Sequence, residues 1–177
     1  MDAPQLRPLI SRHAIRRRVR TLAAQLSRDY QGRSPILLGV LKGSYVFLAD
    51  LSRHMEEPPE VDFIQLSSYG LQGTVASRRI EVCLHPRIEL EDRHVVIVED
   101  IVDSGRTLRF LRDYVALRRP ASLRVCSLLV RDRVRDPDEM VDYPGFTIGD
   151  GWLVGYGLDC AEKYRTLPDI HVLEAPP

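Results

Sequence analysis

Apolar residues at Ile15, Val19, Leu22 and Leu26 recur at the i, i+4, i+7, i+11 spacing of an amphipathic helix, which predicts a helix over Leu9 to Leu26. Its outer positions carry Arg16, Arg17, Arg18 and Arg20. Past the punctuation of Gly32 to Pro35, the run Ile36-Leu37-Leu38-Gly39-Val40-Leu41 is wholly apolar, as a strand covered on both faces must be. Tyr45 to Met55 then reads as a helix closed by Pro58-Pro59, and Val61 to Leu66 as a strand rich in strand formers. Ser67 to Arg79, with Gly70, Gly73 and several hydroxyl residues, has no period and predicts a long mobile loop. A strand-rich stretch follows it. Val95 to Val98 predicts a buried strand running into Glu99-Asp100, Leu108, Leu111 and Val115 mark a helix after Gly105, and Leu123 to Val130 predicts a strand. Strand and helix alternation of this kind predicts an open α/β domain with a mostly parallel sheet.

Length and composition narrow the picture. The chain has 177 residues, within the range of one domain, and its 44% hydrophobic and 28% charged residues are ordinary for a globular fold. Charges balance at 25 basic and 25 acidic, so there is no global field to gather nucleic acid or an anionic membrane, and any anion site must be local. The arginine run on the first helix reads as a solvated face or as a nucleic-acid patch. Cys83, Cys126 and Cys160 are odd in number and show no CxxC spacing, which points to a reducing compartment and to no zinc site. With no apolar stretch near the ~20 residues a bilayer span requires, the expectation is a cytoplasmic protein. Only Lys42 and Lys163 are lysines, so a lysine at 42 stands out in a chain that otherwise uses arginine.

The block Glu99-Asp100-Ile101-Val102-Asp103-Ser104-Gly105-Arg106-Thr107 concentrates the chemistry. Ligands of open α/β sheets bind beyond the carboxyl ends of the strands, and this loop enters a helix whose first amides are free to hold a phosphate. Neither a GxxxxGK[ST] nor a GxGxxG is present, so this is neither a Walker loop nor a dinucleotide fingerprint. Carboxylates repel a phosphate unless a cation intervenes, so Glu99 and Asp100 face sugar hydroxyls or a hydrated Mg²⁺, and the ligand reads as a sugar phosphate.

This block resembles the 5-phosphoribosyl diphosphate (PRPP) motif of the type I phosphoribosyltransferases, two acids at a strand end followed by D-[ST]-G-x-T. Leu38 to Ser44, Val61 to Ile64, Ser67 to Gly70 and Val154 to Asp159 are similar to the hypoxanthine-guanine branch, and the resemblance runs from about Ile10 to Leu173. It implies an open, mostly parallel twisted sheet with helices on both faces: one domain over 1–177, with a core of about 34–130 and a small hood from about 1–30 and 131–177. It also implies attack of a purine base on the anomeric carbon of PRPP with Mg²⁺ as cofactor, giving IMP or GMP and pyrophosphate, in a homodimer or homotetramer. Residue by residue it puts Glu99 and Asp100 on the ribose hydroxyls and Mg²⁺, and Asp103 on the purine N7 proton. The 5'-phosphate goes to Asp103, Ser104, Gly105, Arg106 and Thr107. Lys42, Gly43 and Arg165 take the pyrophosphate, in a loop whose preceding peptide is often cis. Asp159 is a metal and pyrophosphate-side acid, Trp152 and Leu153 hold the base, and Ser68-Tyr69 form a lid.

The pattern breaks at Arg131, where the family has a lysine that donates to the purine 6-oxygen. An arginine donates to both O6 and N7 of guanine edges, so 6-oxopurine choice survives the swap on chemical grounds. The plainer reading makes Arg131 a solvated loop residue, as it makes Trp152 a core residue and Lys42 a surface one. Two rivals share the acid-rich loop: a PRPP-sensing regulator that binds nucleic acid, and a receiver-like domain holding Mg²⁺, the second of which leaves Asp103 to Thr107 unexplained.

Overall fold

The computed structural model describes residues 5–69, 79–134 and 140–174. In chain order the elements are β1 (Gln5–Ile10), α1 (Arg12–Asp29), β2 (Ile36–Leu41), α2 (Tyr45–Arg53), β3 (Glu60–Tyr69), β4 (Arg79–Leu84), β5 (His94–Val102), α3 (Arg106–Ala116), β6 (Ser122–Arg131), β7 (Tyr143–Ile148), β8 (Trp152–Val154) and β9 (Ile170–Glu174). Six strands form the central sheet in the order β4-β3-β2-β5-β6-β7. All its pairings are parallel except that of the edge strand β4 with β3. A second sheet, β1-β9-β8, is antiparallel and joins the two ends of the chain above the first.

The period of the central strands sorts their side chains between two apolar layers. Leu37, Val96 and Val98 face α1 and α2, where Val19, Leu22, Leu26, Phe47 and Leu51 cover them. Ile36, Leu38, Val95 and Ile97 face the opposite way, under Leu108, Leu111 and Val115 of α3. Burial on both faces is why β2 reads as an unbroken apolar run.

Four expectations change. The first helix begins at Arg12, capped by the Ser11 hydroxyl accepting from the Ala14 amide at 3.3 Å, and residues before it are strand β1. Ser67 to Tyr69 and Arg79 are not loop: they pair as an antiparallel ladder, Ser67 with Glu81 and Tyr69 with Arg79. Backbone pairing on a sheet edge does not require the apolar alternation that pattern reading seeks. The rest of the expected loop, 70–78, lies outside the described residues. The strand expected to end near Val98 continues through both acids to Val102. Finally, the hood is smaller than its predicted span. Helix α1 packs beside α2 on the central sheet, because its apolar stripe needs that face, and β7 extends the sheet alongside β6.

Candidate active site

The carboxyl ends of β2 and β5 and the start of α3 enclose a cavity of about 350 Å³, lined among others by Gly43, Glu99, Asp100, Asp103, Ser104, Gly105 and Thr107. Gly105 caps α3 in a left-handed conformation (φ +71°), and no side chain caps this helix. The first amides of α3 have no partner within the helix, and its first turn holds no acid. They form the positive end of a macrodipole at the cavity wall. An added Cβ at Gly105 would meet Met140 Cε at 2.3 Å, the far end of a flexible side chain that would have to move, so it is the positive φ that favours glycine here.

Glu99 is 6% exposed. Burial pushes its carboxyl well above the ordinary range, and the neighbouring Asp100 charge adds to the effect. Burial likewise pushes Asp100 up to about 6, against the opposing pull of the Ile101 amide that donates to Oδ1 at 2.9 Å. Two adjacent acids held in this state are short of positive charge, and a cation brought beside them would be stabilised. Gly43 approaches Asp100 so closely that a Cβ would stand 1.8 Å from Oδ2. The peptide between Leu41 and Lys42 is cis.

A second cavity of about 320 Å³ adjoins the first and shares Ile101 and Asp103 with it; its wall also includes Arg131, Arg133, Trp152, Leu153, Leu158 and Asp159. Trp152 is 53% exposed at the start of β8, so it is a wall of this cavity rather than a core residue. Leu153, next along, is buried. Arg131 is buried too, which excludes the solvated-loop reading. Its Nε donates to Asp103 Oδ1 at 3.2 Å, and its two terminal nitrogens donate to the carbonyls of Gly149 and Gly151. Three of the five N–H donors of a guanidinium are thereby committed, and two are left. Asp103 Oδ1 also accepts from Arg133 at 2.5 Å, and Arg133 reaches on to Asp150 at 2.7 Å.

Arg165 and Asp159 stand on the far side. Arg165 pairs with Asp159 Oδ1 at 2.9 Å and donates to the Gly157 carbonyl at 2.8 Å, while its Nε is buried with no acceptor. Glu162 accepts from Lys42 at 3.0 Å and from Arg165 at 3.1 Å. Lys42 is exposed and engaged in this bridge. Arg106 lies on the exposed side of the first turn of α3. Among the described residues, no three His, Cys, Asp or Glu side chains gather closely enough to enclose a metal ion, and the charge of Asp159 adds to the upward push on Asp100. Ser68 and Tyr69 lie in β3, and their side chains fall outside the described residues.

Pattern reading missed three participants. Arg133 was passed over as one arginine among several, and its role depends on Asp103 and Asp150 being brought together. Glu162 carries no local signal beyond its place near Asp159. Ser67, whose buried hydroxyl has no partner among the described residues and lines the first cavity, falls in the segment that the pattern predicts as loop.

Comparison with known proteins agrees with this geometry. The family described as "Phosphoribosyl transferase domain" matches residues 9–161. The hypoxanthine-guanine phosphoribosyltransferase of Bacillus subtilis is 41% identical over 166 residues, 94% of this chain and 92% of that protein. The bifunctional protein TilS/HprT of Listeria monocytogenes is 40% identical over the same share of this chain, which spans only 26% of that longer relative. A hypoxanthine-guanine phosphoribosyltransferase of Bacillus anthracis, solved with HEPES in its active site, superposes with a TM-score of 0.89 at 41% identity, covering 96% of this chain and 100% of that one. The chain belongs to the phosphoribosyl transferase family, within its hypoxanthine-guanine branch.

Proposed function

We propose that this protein transfers the 5-phosphoribosyl group of PRPP to hypoxanthine and guanine, giving IMP or GMP and pyrophosphate, a purine salvage reaction. One observation carries the reading: Asp103 stands on the wall shared by the two cavities, one at the open helix start and the other against Trp152. A phosphorylated sugar in the first and a planar base in the second would meet beside this carboxylate.

Ser104, Gly105, Arg106 and Thr107 then hold the 5'-phosphate through amides and hydroxyls at the start of α3. Glu99 and Asp100 bind the ribose hydroxyls and stabilise positive charge as the glycosidic bond to diphosphate breaks. These acids, with Asp159 on the diphosphate side, are hard oxygen donors suited to Mg²⁺, which usually takes one or two protein carboxylates together with waters and substrate phosphates. When bound, Mg²⁺ supplies charge compensation to the departing diphosphate. Lys42, Gly43 and Arg165 face that diphosphate. Asp103 takes the proton from N7 of the base, a step that typically contributes about 10² to 10⁴-fold.

Trp152 stacks on the purine and Leu153 lines its edge. Arg131 addresses O6 with its two remaining N–H groups, the other three being held by Asp103 and by the carbonyls of Gly149 and Gly151. Ser68 and Tyr69 close the site as a lid, excluding water from a reactive ribose. Self-association into a dimer or tetramer, and a cytoplasmic location, belong to the same reading. Among the described residues no helix is long and apolar enough to cross a membrane.

Incubation with PRPP, Mg²⁺ and each of hypoxanthine, guanine, xanthine and adenine, followed by mass identification of the nucleotide, tests the activity. IMP and GMP are expected. No nucleotide from any base would overturn it.

A further inference from the structure

Lys42 follows β2 and Arg165 precedes β9, yet one carboxylate joins them. Glu162 Oε1 accepts from Lys42 Nζ at 3.0 Å, and Oε2 accepts from Arg165 at 3.1 Å. The Glu162 side chain is 65% exposed, so solvent alone would leave it to wander. Its backbone is instead tightly placed. Ala161 (φ +49°), Glu162 (φ +61°) and Tyr164 (φ +73°) all adopt the left-handed region that L residues rarely occupy. The turn is closed by reciprocal bonds between Cys160 and Lys163 and by the Glu162 amide donating to Asp159 Oδ2 at 2.9 Å. The result is an anion presented to two cations from different parts of the fold, the pair that the proposed function gives to the diphosphate; Arg165 is also held by Asp159 at 2.9 Å.

We infer that Glu162 is a resident anion of the diphosphate subsite: its carboxylate occupies Lys42 and Arg165 in the free protein, and must surrender them before PRPP or pyrophosphate can bind there. The inference rests on the assignment of Lys42 and Arg165 to the diphosphate. An incoming diphosphate meets a negative charge already satisfied by the same donors, so Glu162 weakens binding of every diphosphate-bearing ligand. It also returns to the cations as pyrophosphate leaves, hastening release. A ligand carrying only the 5'-phosphate is untouched, because the proposed function gives that group to the start of α3, whose residues Ser104, Gly105 and Thr107 line the first cavity.

Calorimetric titration of the intact protein with pyrophosphate in the presence of Mg²⁺, and separately with IMP, distinguishes the possibilities. Glu162→Gln, and Glu162→Ala as a second variant, should bind pyrophosphate about three- to tenfold more tightly than the wild type, the scale of losing two exposed ion pairs, with IMP affinity unchanged. Unchanged or weaker pyrophosphate binding in both variants would overturn the inference, and weaker binding would make Glu162 a support for the cations instead. Lys42→Met is the control. If it lowers pyrophosphate affinity while the Glu162 variants raise none, only this inference falls; if it leaves pyrophosphate affinity unchanged, the assignment of the diphosphate subsite falls with it.

Discussion

Asp103 Oδ1 accepts from two guanidinium groups, Arg131 at 3.2 Å and Arg133 at 2.5 Å, and both bonds fall on that one oxygen. The side chain is thereby oriented while remaining half exposed to the cavities it divides. Asp103→Asn keeps the shape but cannot accept a proton at neutral pH, so turnover should fall about 10² to 10⁴-fold with PRPP affinity little changed. Steady-state kinetics beside PRPP titration checks this, and a variant that loses PRPP binding would make Asp103 a structural residue. Gly43 poses a packing demand rather than a chemical one. Its missing Cβ leaves room for Asp100, which a methyl group would approach to 1.8 Å. Gly43→Ala should cost about 1 to 3 kcal/mol of stability or displace Asp100 and with it the activity. Thermal denaturation and turnover together would show which, and a variant matching the wild type in both would contradict the close approach.

Among the elements, α3 and β5 were the most legible in the sequence, since an apolar run ending in acids and a glycine followed by an i, i+3, i+7 stripe leave little freedom. Less legible were β1, β8 and β9, short strands of a three-stranded sheet whose pairing joins the two ends of the chain. No local pattern encodes such a partnership. The same holds for the partners of Arg131, the carbonyls of Gly149 and Gly151 just beyond the end of the neighbouring strand β7. The β1-β9-β8 sheet is tied to α1 at Asp169, which precedes β9. Its carboxylate accepts from the Arg12 side chain and from the Arg12 amide at the start of α1. The Arg12 side-chain hydrogen bond, with the amide bond next, holds the Asp169 carboxyl below its ordinary value of 3.8. A lowered native value means that the pair stabilises the fold above about pH 4 and that this contribution disappears as pH falls through the native value. Denaturant unfolding between pH 3 and 6 should therefore show a gap between wild type and Asp169→Asn that closes toward the acid end. A gap independent of pH would contradict the pairing.

On the scale of the whole molecule, the site is a joint product of two sheets. The start of α3 and the acids Glu99 and Asp100 belong with the central sheet, whereas Trp152 and Leu153 belong to the β1-β9-β8 sheet. The two cavities are thus walled by different layers, and Asp103 lines both. Net charge is balanced, and within the arginine run Arg18 is engaged with the carbonyls of Pro144 and Gly145, on β7, while Arg16, Arg17 and Arg20 are exposed. The catalytic reading therefore draws on local fields at one helix start and one acid pair. A crystal structure of the protein with IMP tests it most directly. The account predicts the phosphate on the amides of residues 104–107, the purine against Trp152, and N7 facing Asp103. A phosphate bound elsewhere, or a purine lying outside the Trp152 cavity, would contradict it.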